Sequence, residues 1–121
     1  MTVGEIKNEI MFQTNNDVDD LGDFMPYLMD YINDGYDRLM YAWDENHLET
    51  RLQSDADTPE LPEWTHRALA DWATWLVYRN GNPNKQSRGV PFQSAFYEIL
   101  GKISDEGGSK GKVKNFFNIP R

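Results

Sequence analysis

The segment between Pro62 and Pro83 constrains the fold more than any other part of the chain. Trp64, Ala68, Leu69, Trp72, Ala73, Trp75, Leu76 and Val77 recur at helical spacing and cover most of the circumference of a helix over residues 63–80. Only a narrow polar stripe remains, formed by Arg67, Asp71, Thr74 and Tyr78. A helix with so little polar surface has to be buried among other helices. Pro62 opens it, and Asn80-Gly81-Asn82-Pro83 closes it with a glycine stop followed by proline. The spacing predicts a central helix, and the rest of the chain has to supply its neighbours.

Three further helices are legible. Thr2-Val3-Gly4-Glu5 has the form of a capping box, in which the threonine oxygen takes a free backbone N–H and the glutamate reaches back. Val3, Ile6, Ile10 and Met11 then mark one face of a short helix running to about Phe12, and the polar, acidic residues 13–23 read as a loop. Over residues 24–43, Leu28, Tyr31, Ile32, Gly35, Tyr36, Leu39, Ala42 and Trp43 share one broad face, with Pro26 suited to the first turn. The opposite face is expected to hold Asp30, Asn33, Asp34 and Asp37, with Arg38 at ion-pair spacing from Asp34. Gly35 lowers helix propensity by ~1 kcal/mol relative to alanine, which a close helix crossing there would explain. After Pro91, the residues Phe92, Ala95, Phe96, Ile99, Leu100 and Ile103 form the apolar stripe of a fourth helix ending near Ser104.

The connections differ in character. Residues 44–60 form a long charged stretch, part of it expected to be mobile, whose end is fixed by Pro59 and Pro62. Residues 82–89 are turn-rich and basic, with Lys85 and Arg88. Residues 106–111 are flexible by composition and lead into an apolar, basic end containing Phe116, Phe117 and Ile119. The expected fold is all-α: a single-domain bundle of about four helices over residues 1–106, then a glycine hinge and a flexible, extended C-terminal tail over residues 107–121.

Composition removes several function classes. There is no cysteine, so disulfides, thiolate metal sites and a cysteine nucleophile are excluded. His47 and His66 form no ligand pair and are expected to be surface or partly buried packing residues. No signal peptide and no membrane-spanning run is read in the sequence. Asp17-Val18-Asp19-Asp20-Leu21-Gly22-Asp23 superficially resembles a calcium loop, but Leu21 and Leu28 stand where two ligands belong. Gly107-Gly108-Ser109-Lys110-Gly111-Lys112 follows a helix instead of opening one, which makes it a linker and not a phosphate cradle. Trp64, Trp72 and Trp75 fall on the most apolar arc of their helix and read as core, not as a stacking platform. No catalytic residue, metal or cofactor is expected, and the chain reads as a non-enzyme.

The formal net charge is −8. Residues 1–60 carry 15 acids and 3 bases, whereas residues 61–121 carry 5 acids and 9 bases. An acidic total argues against the phosphate attraction on which nucleic-acid binders rely. An uneven distribution lets one copy's acidic side meet another copy's basic side, the requirement of a ring-forming contact.

Two segments carry a family resemblance. Tyr31-Ile32-Asn33-Asp34-Gly35-Tyr36-Asp37-Arg38-Leu39, and Leu61-Pro62-Glu63-Trp64-Thr65-His66-Arg67-Ala68-Leu69-Ala70-Asp71-Trp72-Ala73 through Arg79-Asn80-Gly81-Asn82, resemble the second helix and the long alanine- and aromatic-rich helix of the head-tail connector (adaptor) proteins of tailed bacteriophages and prophages. Phe92 to Ile103 resembles their closing helix. The acidic loop over residues 16–23 and the basic aromatic tail depart from that pattern. The resemblance implies a structural virion protein, a homo-oligomeric ring between the portal protein and neck or tail completion proteins, present in the host cytoplasm during assembly. It leaves open whether isolated subunits are monomeric until they meet a portal, and it implies no membrane and no specific nucleic-acid sequence. On charge and position, Asp30, Asp34 and Asp37 and the Lys85 and Arg88 connection become candidate opposite sides of the subunit contact. Phe116, Phe117 and Ile119 become a candidate portal-docking arm. The alternative is an acidic regulatory module, antitoxin-like or nucleic-acid-mimicking, whose Asp17 to Asp37 surface occupies a basic partner.

Overall fold

In the computed structural model, which describes residues 1–15, 21–44 and 51–106, the protein is all-helical. Its four α-helices are α1 (Val3–Thr14), α2 (Leu28–Trp43), α3 (His66–Arg79) and α4 (Val90–Glu106), and among the described residues there is no strand. Helix α3 packs against each of the other three. Eleven of its fourteen residues are buried, which makes it the central helix its sequence requires.

The polar stripe expected on that helix is itself covered. Asp71, Thr74 and Tyr78 are buried, and of the four stripe residues only Arg67 is exposed. Gln13 of α1 reaches Asp71 and Thr74, while Phe92 of α4 stacks on Tyr78 with ring planes 8° apart. Trp64 departs in the other direction. It lies in a 3₁₀ turn, Glu63–Thr65, ahead of the helix, and is 46% exposed instead of packed in the core.

Contacts along the helices fix their directions. Met1 lies beside Glu63 and His66, and Gln13 beside Asp71 and Thr74, so α1 runs parallel to α3. Tyr31 meets Asn80 and Tyr36 meets Glu60, so α2 is antiparallel to α3. Phe92 on Tyr78 and Phe96 on Trp72 make α4 antiparallel to α3 as well. One end of the bundle therefore gathers the starts of α1 and α3 with the ends of α2 and α4.

Helix α1 begins with the capping box read in the sequence: Glu5 N–H donates to the Thr2 hydroxyl at 3.2 Å, and Thr2 N–H to Glu5 Oε1 at 2.8 Å. It runs two residues past Phe12 because Gln13 and Thr14 have partners. The Thr14 hydroxyl, fully covered, donates to the Ile10 carbonyl at 2.9 Å. Val3 and Gly4, whose N–H groups a helix start leaves without intrahelical partners, donate to the carbonyls of Asp57 and Asp55 at 2.8 and 2.9 Å. That turn is in turn held by the Asp57 carboxylate, which accepts from the N–H groups of Gln53 and Ser54 at 2.7 and 2.9 Å. These backbone bonds hold the Asp57 carboxyl below its usual range.

Residues 51–60 of the 44–60 connection are tied down, and residues 45–50 lie outside the described residues. Asn33, assigned to the wet face of α2 by its polarity, is buried at 1% exposure. Its amide group donates to the Leu52 carbonyl at 2.9 Å and accepts from the Leu52 N–H at 2.8 Å, satisfying both backbone groups of that residue. Leu52, Pro59 and Leu61 are buried, and the Glu60 N–H donates to the Tyr36 hydroxyl at 2.9 Å. Replacing Asn33 by alanine strands both backbone groups of Leu52 and is expected to cost about 2–4 kcal/mol. Urea unfolding followed by tryptophan fluorescence measures it; a loss below about 0.5 kcal/mol, the scale of a surface substitution, contradicts this role.

Elsewhere 3₁₀ segments stand where the sequence suggested helix or loop. Met25–Tyr27, containing Pro26, precedes α2 and is closed by the Tyr27 N–H on the Phe24 carbonyl at 2.9 Å. Pro83–Gly89 replaces the turn-rich connection. It ends at Gly89 because a Cβ there would lie 2.8 Å from Tyr78 Cβ and 3.0 Å from Trp75 Cε3, so only glycine lets this segment close on α3. Helix α4 buries Phe96 and Ile103, as its periodicity requires, and extends to Glu106.

Candidate functional site

The acidic residues of α2 are not equivalent. Asp30 and Asp37, two turns apart, both face Arg51, whose guanidinium lies 3.9 Å from Asp30 Oδ1 and 3.8 Å from Asp37 Oδ2. Arg51 is half exposed and so partly neutralises an otherwise wet acidic ridge. Asp34 has a different task. Its Oδ2 accepts from Trp72 Nε1 at 2.6 Å and from Arg38 Nε at 3.1 Å, and Arg38 lies over the Trp72 ring, 4.7 Å from its centroid. The Asp34–Arg38 pair was legible from its spacing. The indole N–H that joins it was not, because nothing local in the sequence says which residue of α3 lies opposite.

Lys85 and Arg88 lie on the Pro83–Gly89 segment, Arg88 exposed and Lys85 half-buried. Phe116, Phe117 and Ile119 fall outside the described residues, as do His47 and most of the acidic loop. His66 corrects its expected role. It is 2% exposed, its Nε2 lies 2.8 Å from the Leu61 carbonyl, and its Nδ1 lies 2.9 Å from the Met1 ammonium, contacts that the Nε2–H tautomer satisfies together. Glu63, one turn earlier, is an acidic neighbour at 3.6 Å that the sequence reading did not credit. The Met1 ammonium donates to Glu63 at 2.7 Å and is the main reason that this carboxyl titrates below its usual range.

A polar network joins α1 to α3. Gln13 Nε2 donates to Asp71 Oδ1 at 2.8 Å, the Thr74 hydroxyl donates to Gln13 Oε1 at 2.5 Å, and Arg67 pairs with Glu9 at 2.7 Å. Burial raises the Asp71 pKa; the Gln13 hydrogen bond and Arg67 oppose the rise, and Glu9 adds to it. The unfolded chain ionises Asp71 near 3.8, before the folded one does, so the folded state is disfavoured progressively as pH climbs between those two values. Asp71→Asn keeps an oxygen for Gln13 and removes the buried charge. It is expected to raise neutral-pH stability by up to about 1 kcal/mol, an advantage that fades as pH falls toward 4. Thermal unfolding across that range checks the sign; a variant less stable at pH 7 than at pH 4, relative to the parent, contradicts it.

Two open clefts mark the surface. One, about 420 Å³, lies along the first turns of α1 and is lined by Gly4, Glu5, Lys7, Met11, Met25 and Asp55 among others. The other, about 230 Å³, is polar and lined by Tyr36, Arg51, Leu52, Asp57, Thr58 and Glu60. Among the described residues, no cluster of three or more His, Asp or Glu side chains forms a metal site, and no helix is long and apolar enough to cross a membrane. Several large apolar side chains are exposed, Phe12 at 72%, Tyr41 at 66% and Tyr27 at 54%. No protein-family model, curated protein or solved structure matches the chain.

Proposed function

We propose that this chain is a structural subunit of the head-tail junction of a tailed phage or prophage, working as one copy of a homo-oligomeric ring between the portal and the neck or tail components. The observation that carries the reading is where the two resembling segments lie. Residues 31–39 and 61–82 pack on each other as the α2–α3 pair, with Gly35 against Trp72 and Tyr31 meeting Asn80. The resemblance thus spans the scaffold of the body and its packing, not scattered surface residues.

In this reading the ring contact is carried on one side by Asp30 and Asp37 with Arg51, and on the other by Lys85 and Arg88. Asp34, already committed to Trp72 and Arg38, acts by holding α2 in place. Phe116, Phe117 and Ile119 supply an arm toward the portal, and Phe12, Tyr27 and Tyr41 are apolar surface for neighbours to cover. Function is docking and sealing without turnover. Light-scattering mass across a concentration series, alone and with the portal protein of the same gene cluster, tests it. A defined ring, alone or on the portal, is expected, and a monomer that never engages the portal overturns the proposal.

One observation favours the acidic regulatory module as a second reading. All 20 acids and only 8 of the 12 bases lie within residues 1–106, so the helical body carries −12. A basic protein partner captured by that body in place of the portal would select this reading.

A further inference from the structure

We propose that the basic aromatic segment at residues 112–121 docks into the cleft along α1 of its own chain. This inference does not rest on the connector reading, and it concerns the free subunit. The cleft is lined by the apolar side chains of Met11 and Met25 and by Glu5 and Asp55, with Lys7 bound to Asp55 at 2.8 Å. Phe12, one helical turn beyond Asn8, extends the apolar strip along α1 and is 72% exposed. Methionine side chains adapt to aromatic rings and make favourable sulfur contacts with them.

Charge selects the occupant. Residues 107–121 hold four bases, Lys110, Lys112, Lys114 and Arg121, and no acid, against a body of −12. The positive excess of the chain's second half therefore lies wholly in this segment, which places Phe116, Phe117 and Ile119 between lysines and an arginine. An apolar core flanked by bases matches a cleft that holds two methionines together with Glu5 and Asp55 in a body of −12.

Reach is sufficient. Helix α4 ends at the same end of the bundle at which α1 begins, and Gly4, Glu5, Lys7 and Asn8 of α1 border the cleft. Phe116 lies ten positions beyond Glu106, a span of up to about 33 Å in extended chain. The longest helix of the body, 17 residues, is about 26 Å long. A short tether keeps the local concentration of the segment near the millimolar range, which favours the chain's own cleft over that of a second copy.

The test uses the full chain and two double variants, Phe116→Ser with Phe117→Ser, and Met11→Glu with Met25→Glu. Tryptic cleavage after Lys114 is expected to be about tenfold slower in the parent than in either variant, at a rate independent of protein concentration. In the Phe116→Ser, Phe117→Ser variant the amide resonances of Asn8, Met11 and Met25 move while those of α3 stay in place. Should the methionine variant fail to fold, the phenylalanine variant decides, since its changes lie outside the helical body. Equal cleavage rates and unmoved cleft resonances overturn the proposal. Protection that grows with concentration places the segment on a second copy and overturns it as well.

Discussion

Replacing Gly35 by leucine is expected to destabilise the protein by about 3 kcal/mol or more, the upper range for forcing atoms into a packed core. A Cβ at this position already meets Trp72 Cδ1, Cβ and Cγ at 3.0, 3.2 and 3.3 Å. The indole has room for a small shift but not for a larger side chain. It is 3% exposed, tied by Nε1 to Asp34 at 2.6 Å, packed at a 39° tilt against Phe96 at 4.6 Å between centroids and covered by Arg38. Alanine is the informative control, because its helix propensity gains ~1 kcal/mol over glycine while its single methyl needs only a few tenths of an ångström. Urea unfolding should therefore rank alanine near the parent and leucine far below it. A leucine variant as stable as the parent would show that α2 and α3 do not approach this closely.

The second large effect is expected at Phe96. This ring is fully buried, lies 4.6 Å from the Trp72 ring and 5.7 Å from that of Tyr97, and anchors α4 to the α2–α3 pair. Phe96→Ala removes its transfer energy and leaves a cavity beside the Trp72 indole, which Asp34 and Arg38 hold in place, a loss of about 3–5 kcal/mol. Near-UV circular dichroism together with denaturant unfolding reads both the loss of aromatic packing and its free energy. Phe92→Ala, at a half-buried ring stacked on Tyr78, should cost less. The reverse order would mean that α4 is seated by its first turn and not by its centre.

How much of this was legible in the sequence depends on whether the signal was local. The capping box at Thr2 and Glu5, the glycine at the α2–α3 crossing, the central helix and the apolar stripe of α4 are local or periodic features, and each stands where its spacing places it. Asn33 was placed on the solvent face, and Asp71 and Thr74 were read only as a polar stripe, for one reason. Polarity says that a side chain needs partners, but not whether water or a distant backbone supplies them. Leu52 and Gln13, at 19 residues or more from the groups they satisfy, are invisible to periodicity. His66 failed in the same way, with its partners at Leu61 and Met1. For the candidate interaction surfaces, the sequence singled out the charged residues of α2, but only the fold separates Asp34, which holds a tryptophan, from Asp30 and Asp37, which share Arg51.

The central claim is that copies of this helical body assemble in a ring coaxial with a portal. Electron microscopy of the chain mixed with the portal protein from its own gene cluster tests it most directly. The account predicts averages with an added ring of density on the portal axis, lost when Asp30 and Asp37 are both changed to lysine. Portal particles with no added density, at chain concentrations well above those of the portal, would contradict it.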